Sequence, residues 1–255
     1  MEIKVGTSGY SFDDWVGPFY PPDIKKGKMF DHYVKHFNTV EINSTYYRIP
    51  HPAVMANIEE KSPAGFEFIV KTPDILTHKR KEIEKGVAEF CECLKPMSES
   101  GKLKGLLAQF PYSFKFSKEN LDYISRCRDL LQPHRLFTEF RHNSWVTREM
   151  YDSLRKENIG YVAVDEPQLS GLLKPDLFAT TDTAYVRLHG RNSRHWWEGG
   201  ALRYDYDYSP GELQEWKGRV EKLEGKAGKL YIFFNNCHLG QAVKNARQMK
   251  EMLNL

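Results

Sequence analysis

Eight β-rich runs in this chain close on side chains that could do chemistry. Ser8 ends the first, Glu41 and Asn43 the second, Lys71 the third and Gln109 the fourth. Glu139 with Arg141, Asp165, Arg187 with His189, and Asn235 with Asn236 end the remaining four. The stretch TEFRHNSW, residues 138–145, shows the problem sharply, since a strand that starts as Leu136-Phe137 finishes in charge. Sheet interiors do not accept unpaired charge, so these groups either neutralise one another or await a ligand.

A carboxylate and an imidazole at one site make an acid–base pair, with Glu41, Glu139 or Asp165 as base and His189 as acid. Lys71, Arg141, Arg187 and Arg191 supply charge-assisted hydrogen bonds to phosphate or carboxylate, and each arginine can give two at once. The hydroxyls of Ser8 and Tyr10, the amides of Asn43, Gln109, Asn235 and Asn236, His78 and Trp196 complete the expected substrate-binding set. That chemistry suits hydrolysis, elimination or isomerisation of a phosphorylated or otherwise anionic small molecule. The same Glu41, Glu139, Asp165 and His189 are ligand types for Mg2+, Mn2+ or Zn2+, so a divalent metal is a competing expectation. Lys71, Arg141 and Arg187 at the same depth would repel it, and no HxH or HExxH spacing occurs. Three acids against three bases could also form a self-neutralising lattice that binds nothing.

Parity places these groups together. Alternate strand residues face opposite ways, so Glu139 and Arg141 go with Phe137, Arg187 and His189 with Tyr185, Lys71 with Ile69, and Asp165 with Ala163. The greasy alternates suit a helix-facing side; the polar set is expected to point into a closed cylinder at its C-terminal mouth. The runs expected as strands are 3–8, 39–43, 66–71, 105–109, 136–141, 160–165, 184–189 and 230–235. Between them lie amphipathic stretches such as EIEKGVAEFCECLKPM and GQAVKNARQMKEML. Ser209-Pro210-Gly211-Glu212 reads as a helix start, with an N-cap serine, a first-turn proline and a glutamate three residues on.

Eight strand–helix alternations in 255 residues predict an α/β protein, a closed (β/α)8 TIM barrel forming a single domain over residues 1–255. Two long linkers break the rhythm, 9–28 and 190–208, and loops beyond ~12–15 residues are usually functional lids or disordered. Their aromatic content favours lids. Barrels often hold phosphate at the loops after strands seven and eight, here His189-Gly190-Arg191 and Asn235-Asn236.

Acids and bases nearly cancel, 34 against 37, which excludes bulk attraction to nucleic acid and makes any anion site local. The segment RNSRHWWEGGALRYDYDY interleaves cations with aromatics as single-strand grips do, so a nucleic-acid-binding or endonuclease-like barrel is an alternative. Glu198, Asp205 and Asp207 dilute that charge and favour a lid. A non-catalytic binding scaffold is the second alternative. Four cysteines without CxxC pairs, a start with no signal-peptide pattern and no apolar run of ~18 residues imply a cytoplasmic protein without a membrane partner. Neither GxGxxG nor GxxxxGK[ST] occurs, so no nucleotide cofactor is expected.

From end to end the chain resembles the YecE-like family, a domain-of-unknown-function family. The matching stretches are GTSGYS at 6–11, FNTVEINSTYY at 37–47, KTP at 71–73, QFP at 109–111, EFRHNSW at 139–145, YVRLHG at 185–190, and FNNC followed by GQAVKNA. The resemblance implies a (β/α)8 barrel, and implies fold far more firmly than chemistry.

Overall fold

Each β-rich run forms a strand, and each strand bonds to its sequence neighbours in parallel. In the computed structural model, which describes residues 1–255, the strands are β1 (Glu2–Thr7), β2 (Thr39–Ile42), β3 (Glu67–Lys71) and β4 (Leu103–Gln109). They continue as β5 (Leu136–Glu139), β6 (Gly160–Asp165), β7 (Thr183–Leu188) and β8 (Lys229–Phe234). Their hydrogen-bonded order runs β1-β8-β7-β6-β5-β4-β3-β2. Closure between β1 and β2 uses a single bridge, Ser8 to Glu41, with the Gly9 amide donating to the Glu41 carbonyl at 2.7 Å. Below it the Tyr33 hydroxyl fills the seam, accepting from the Thr7 amide at 3.0 Å and donating to the Thr39 carbonyl at 3.1 Å. A Cβ on Gly6 would sit 2.5 Å from that carbonyl, so the seam needs glycine there.

The helices are α1 (Met29–Tyr33), α2 (Pro52–Lys61), α3 (Ile83–Glu99), α4 (Lys118–Leu130), α5 (Arg148–Lys156), α6 (Pro210–Leu223) and α7 (Gln241–Met252). The start of α6 carries the expected capping box, with Ser209 and Glu212 each accepting from the other's backbone amide. One expected alternation fails: residues 166–182 connect β6 to β7 without a helix. Pro167, Gly171 and Pro175 break any helical run there, and Leu172 and Leu173 are buried instead from irregular backbone.

Apolar burial follows the two faces. A large cluster of 56 residues fills the layer between strands and helices, while Ile69, Leu107, Phe137, Val162, Tyr185, Tyr231 and Phe233 fill the barrel interior. Gly105 and Gly160 flank Phe137, and a side chain on either would collide with its ring. The β6 member of this interior set is Val162, not Ala163. That one-residue phase decides where the end of β6 points.

Candidate active site at the barrel mouth

Above the apolar plug lies a buried chain of ions. Arg187 on β7 grips Glu41 with Nε at 2.9 Å and Nη2 at 2.7 Å, and reaches Glu139 with Nη1 at 2.7 Å. The Tyr185 hydroxyl, two residues earlier on the same face, also donates to Glu41. Arg141 continues the chain, its Nε 2.6 Å from Glu139 Oε1 and its Nη1 3.3 Å from Glu166 Oε2. His189 sets Nε2 3.2 Å from Glu139 Oε1, while its Nδ1 receives the Asn235 amide at 2.9 Å. Glu139 Oε1, Arg141 Nε and His189 Nε2 are close and buried, yet none is aligned as a hydrogen bond.

Burial and charge then sort the protonation states. Burial pushes Glu139 upward, but Arg141 and Arg187 overcome it and hold its carboxyl well below the usual range. Burial, reinforced by Arg141, lowers His189 to about 3, so its ring is neutral. Glu166 goes the other way: burial lifts it to about 7 against the pull of Arg141 and the Leu173 amide, which donates to Oε1 at 2.9 Å. Lys71 at the end of β3 is lowered to about 7, first by burial and then by Arg187. Its Nζ donates to Gln109 Oε1 at 3.0 Å and lies 4.2 Å over the Tyr46 ring, whose face favours the charged form but does not offset burial. No carboxylate pairs with it.

A cavity of about 710 Å3 opens over this network. Of the expected residues, Ser8, Tyr10, Asn43, Lys71, Gln109, Arg141, Arg187 and Asn235 line it. Glu41, Glu139 and His189 lie beneath, each fully buried. The 190–208 loop forms part of the wall through Gly200, Ala201, Arg203 and Tyr204. Trp196, 2% exposed, packs between Arg141 at 5.7 Å and Arg203 at 5.3 Å. The aromatics of this loop therefore form no single exposed row: Trp197 rests edge-on against Tyr112, and Tyr206 and Tyr208 pack on each other.

Four expected residues lie elsewhere. Asp165 faces the helix layer, because β6 pairs Val164 with Arg187 and Asp165 with Leu188. There it accepts Arg191 Nε and Nη2, both at 2.8 Å, and the Trp216 indole of α6. Arg191 is taken up with it, its Nη1 also reaching Glu212 at 3.1 Å. Both anchor the loop root and are absent from the mouth. Asn236 is buried and structural, its amide donating to the Tyr206 carbonyl at 2.8 Å and to Asn245 at 2.7 Å. His78 stands behind Tyr46, ring to ring at 5.1 Å, lowered to about 4 by burial and by Lys71. In exchange the buried ion network gains Glu166 and the cavity wall gains Arg203 and Tyr204, which the strand-end parity missed, while Tyr185 keeps the inward face that parity gave it. The signal for Glu166 was Gly160, whose missing side chain accommodates Phe137 and sets the inward phase as 160, 162, 164, 166.

No three His, Cys, Asp or Glu side chains converge on a metal-sized point. Glu41 and Glu139 spend their oxygens on guanidinium groups, so the donor set does not fit a divalent cation. No helix is long and apolar enough to cross a membrane.

Fold and site together define a single-domain (β/α)8 barrel protein with a ligand-sized, cation-lined cavity at the C-terminal mouth. The chain belongs to the family described as "Protein of unknown function DUF72", whose model matches residues 4–255. It is 31% identical to the protein YunF of Bacillus subtilis, covering 99% of this chain and 95% of that one. The protein YecE of Escherichia coli K12 is 31% identical over 99 residues, 38% of this chain and 34% of its own length. Among solved structures, a family member from Thermotoga maritima is 42% identical with a TM-score of 0.92, covering all of both chains. Another from Enterococcus faecalis is 26% identical with a TM-score of 0.86, covering 100% of this chain and 98% of its own.

Proposed function

We propose that this protein is an enzyme that takes a small anionic molecule, phosphorylated or carboxylated, into the barrel mouth. The observation that carries this reading is vertical segregation of charge: the acids Glu41 and Glu139 are sealed under the cavity, whereas Lys71 and Arg141 line it. A ligand entering the mouth meets cations first. Arg141 spends Nε and Nη1 on Glu139 and Glu166 and has Nη2 left for a ligand oxygen. Arg203, Asn43, Asn235 and Ser8 add donors around the same space. Glu41 and Glu139 serve as fixed counter-ions, and proton transfer falls to Lys71, which lines the cavity and is poised near neutrality. No metal or organic cofactor is invoked. Four free cysteines accord with a reducing compartment, and we place the protein in the cytoplasm.

Calorimetric titration at low ionic strength, with inorganic phosphate and then glyceraldehyde 3-phosphate, tests the reading. Binding should weaken at least about tenfold in Arg203→Ala and fall steeply with added salt. Absence of binding by both probes, or affinity indifferent to Arg203 and to salt, overturns it.

A further inference from the structure

We propose that Lys71 forms an imine with the carbonyl carbon of an anionic aldehyde or ketone bound in the mouth cavity. The anionic half of that substrate class rests on the reading above; the carbonyl half stands on Lys71 itself. Three cations from strand ends face the mouth, and two of them, Arg141 and Arg187, are paired to carboxylates. Lys71 alone has none. Its Nζ is held by one neutral acceptor, Gln109 Oε1 at 3.0 Å, and by the flat face of Tyr46. It stands at the end of a strand, on the rigid wall of a cavity of about 710 Å3. A lysine kept only to bind anions would gain from a nearby acid that holds its charge; this one is desolvated and faces two guanidinium groups, which is how an amine is kept as a free base.

The step balances without any further reagent. The Lys71 amine lone pair adds to the carbonyl carbon and the C=O π pair moves to oxygen, giving a carbinolamine. Both amine hydrogens then leave with that oxygen as water, and the C=N bond forms. Protonated, the imine draws electrons from a neighbouring C–H or C–C bond, the electron demand that isomerisations and carbon–carbon cleavages share. Arg141 is placed to hold the carboxylate or phosphate of the same molecule. Asn43 Oδ1, buried without a donor and on the cavity wall, is free to accept the carbinolamine hydroxyl.

Borohydride reduction decides the matter, because it converts an imine to a stable secondary amine. The intact protein is incubated near pH 7.5 with pyruvate, glyoxylate, glyceraldehyde 3-phosphate or dihydroxyacetone phosphate, reduced, digested and mapped by mass. Pyruvate should add the mass of pyruvic acid less one oxygen atom to the peptide containing Lys71. Labelling there should exceed that of surface lysines by on the order of tens of fold, since an ordinary lysine is almost wholly protonated at that pH. Lys71→Arg should abolish that label while the variant keeps the wild-type circular dichroism spectrum and unfolds cooperatively. Failure of all four carbonyl compounds to label Lys71, or labelling spread evenly over surface lysines, overturns the imine. The two readings fail separately. If acetone labels Lys71 as readily as pyruvate, the imine stands and anion recognition falls; if phosphate binds but no carbonyl compound labels, anion recognition stands and the imine falls.

Discussion

Glu166→Gln offers a direct test of the electrostatics at the mouth. Glu166 is fully buried, bonded through Oε1 to the Leu173 amide and through Oε2 to Arg141 at 3.3 Å, and lifted to about 7 by burial. Glutamine keeps an acceptor for Leu173 and removes the titration. In the unfolded chain the carboxyl ionises from its ordinary 4.5 upward, while in the fold it keeps its proton to about 7. Between those values the native state holds more protons than the unfolded one, so stability falls as pH rises through the window. Wild type and variant should be nearly equal below pH 4.5, where both side chains are neutral. The variant should then gain on wild type at about 1.4 kcal/mol per pH unit, reaching roughly 3 kcal/mol at pH 7 and levelling off above it. Guanidinium unfolding of both proteins at intervals from pH 4.5 to 8 reads the difference directly. A flat difference, or one that makes wild type the more stable at pH 7, would show that Arg141 keeps Glu166 ionised despite its burial.

Arg187→Met strands Glu41 and Glu139 in the interior and should cost about 3–5 kcal/mol by denaturant unfolding; a loss under about 1 kcal/mol would mean that the network relaxes into water. Lys71→Met removes a desolvated amine and should stabilise the protein by roughly 2 kcal/mol at pH 7, after discounting for the solvent that reaches this half-buried group. That gain should shrink as pH rises from about 7 toward 10.5, where the unfolded lysine also loses its proton; a gain constant across the window counts against a neutral amine. Asp165→Asn loosens the root of the 190–208 loop and should cost about 1–3 kcal/mol of stability. It should leave Lys71 labelling in place, and loss of labelling without loss of fold would return Asp165 to the chemistry.

Much of the mouth was legible from strand parity because most of these strands end in one face of contrasting chemistry. Glu139 and Arg141 alternate with Phe140, Arg187 and His189 with Leu188, and the interior shows that alternation directly. β6 offers no contrast: Gly160 to Asp165 is buried on both faces, so Val162 and Ala163 are equally eligible for the interior and the polar terminal residue misleads. Only the ring of Phe137, needing empty space on its neighbours, fixes the phase, and that is a contact between strands that a single run does not display. Arg191 misled for a related reason. It follows β7 as a phosphate-binding arginine would, but with Asp165 turned outward the nearest carboxylates lie on the helix side, and a guanidinium goes where two or three of them converge.

The protonation states of Glu166 and Lys71 are one problem, although the two side chains end different strands. With Glu166 protonated, Glu41 and Glu139 balance Arg141 and Arg187, leaving no surplus negative charge at the mouth to hold Lys71 as an ammonium. With Glu166 ionised the network carries one extra negative charge, and the pull on Lys71 rises accordingly. A lattice kept only for rigidity has no use for a fifth ionisable group that burial holds near neutrality against the pull of Arg141. An amine nucleophile does, because a bound carboxylate or phosphate then supplies the charge that the network withholds and raises the proton affinity of the imine nitrogen once it has formed. The Glu166→Gln variant should therefore label at Lys71 at least as fast as wild type at pH 7.5, measured by the same reduction assay. A variant that labels about tenfold more slowly while binding phosphate normally would mean that the ionised Glu166 takes part in the reaction, and the neutral pairing inferred for the network would be wrong.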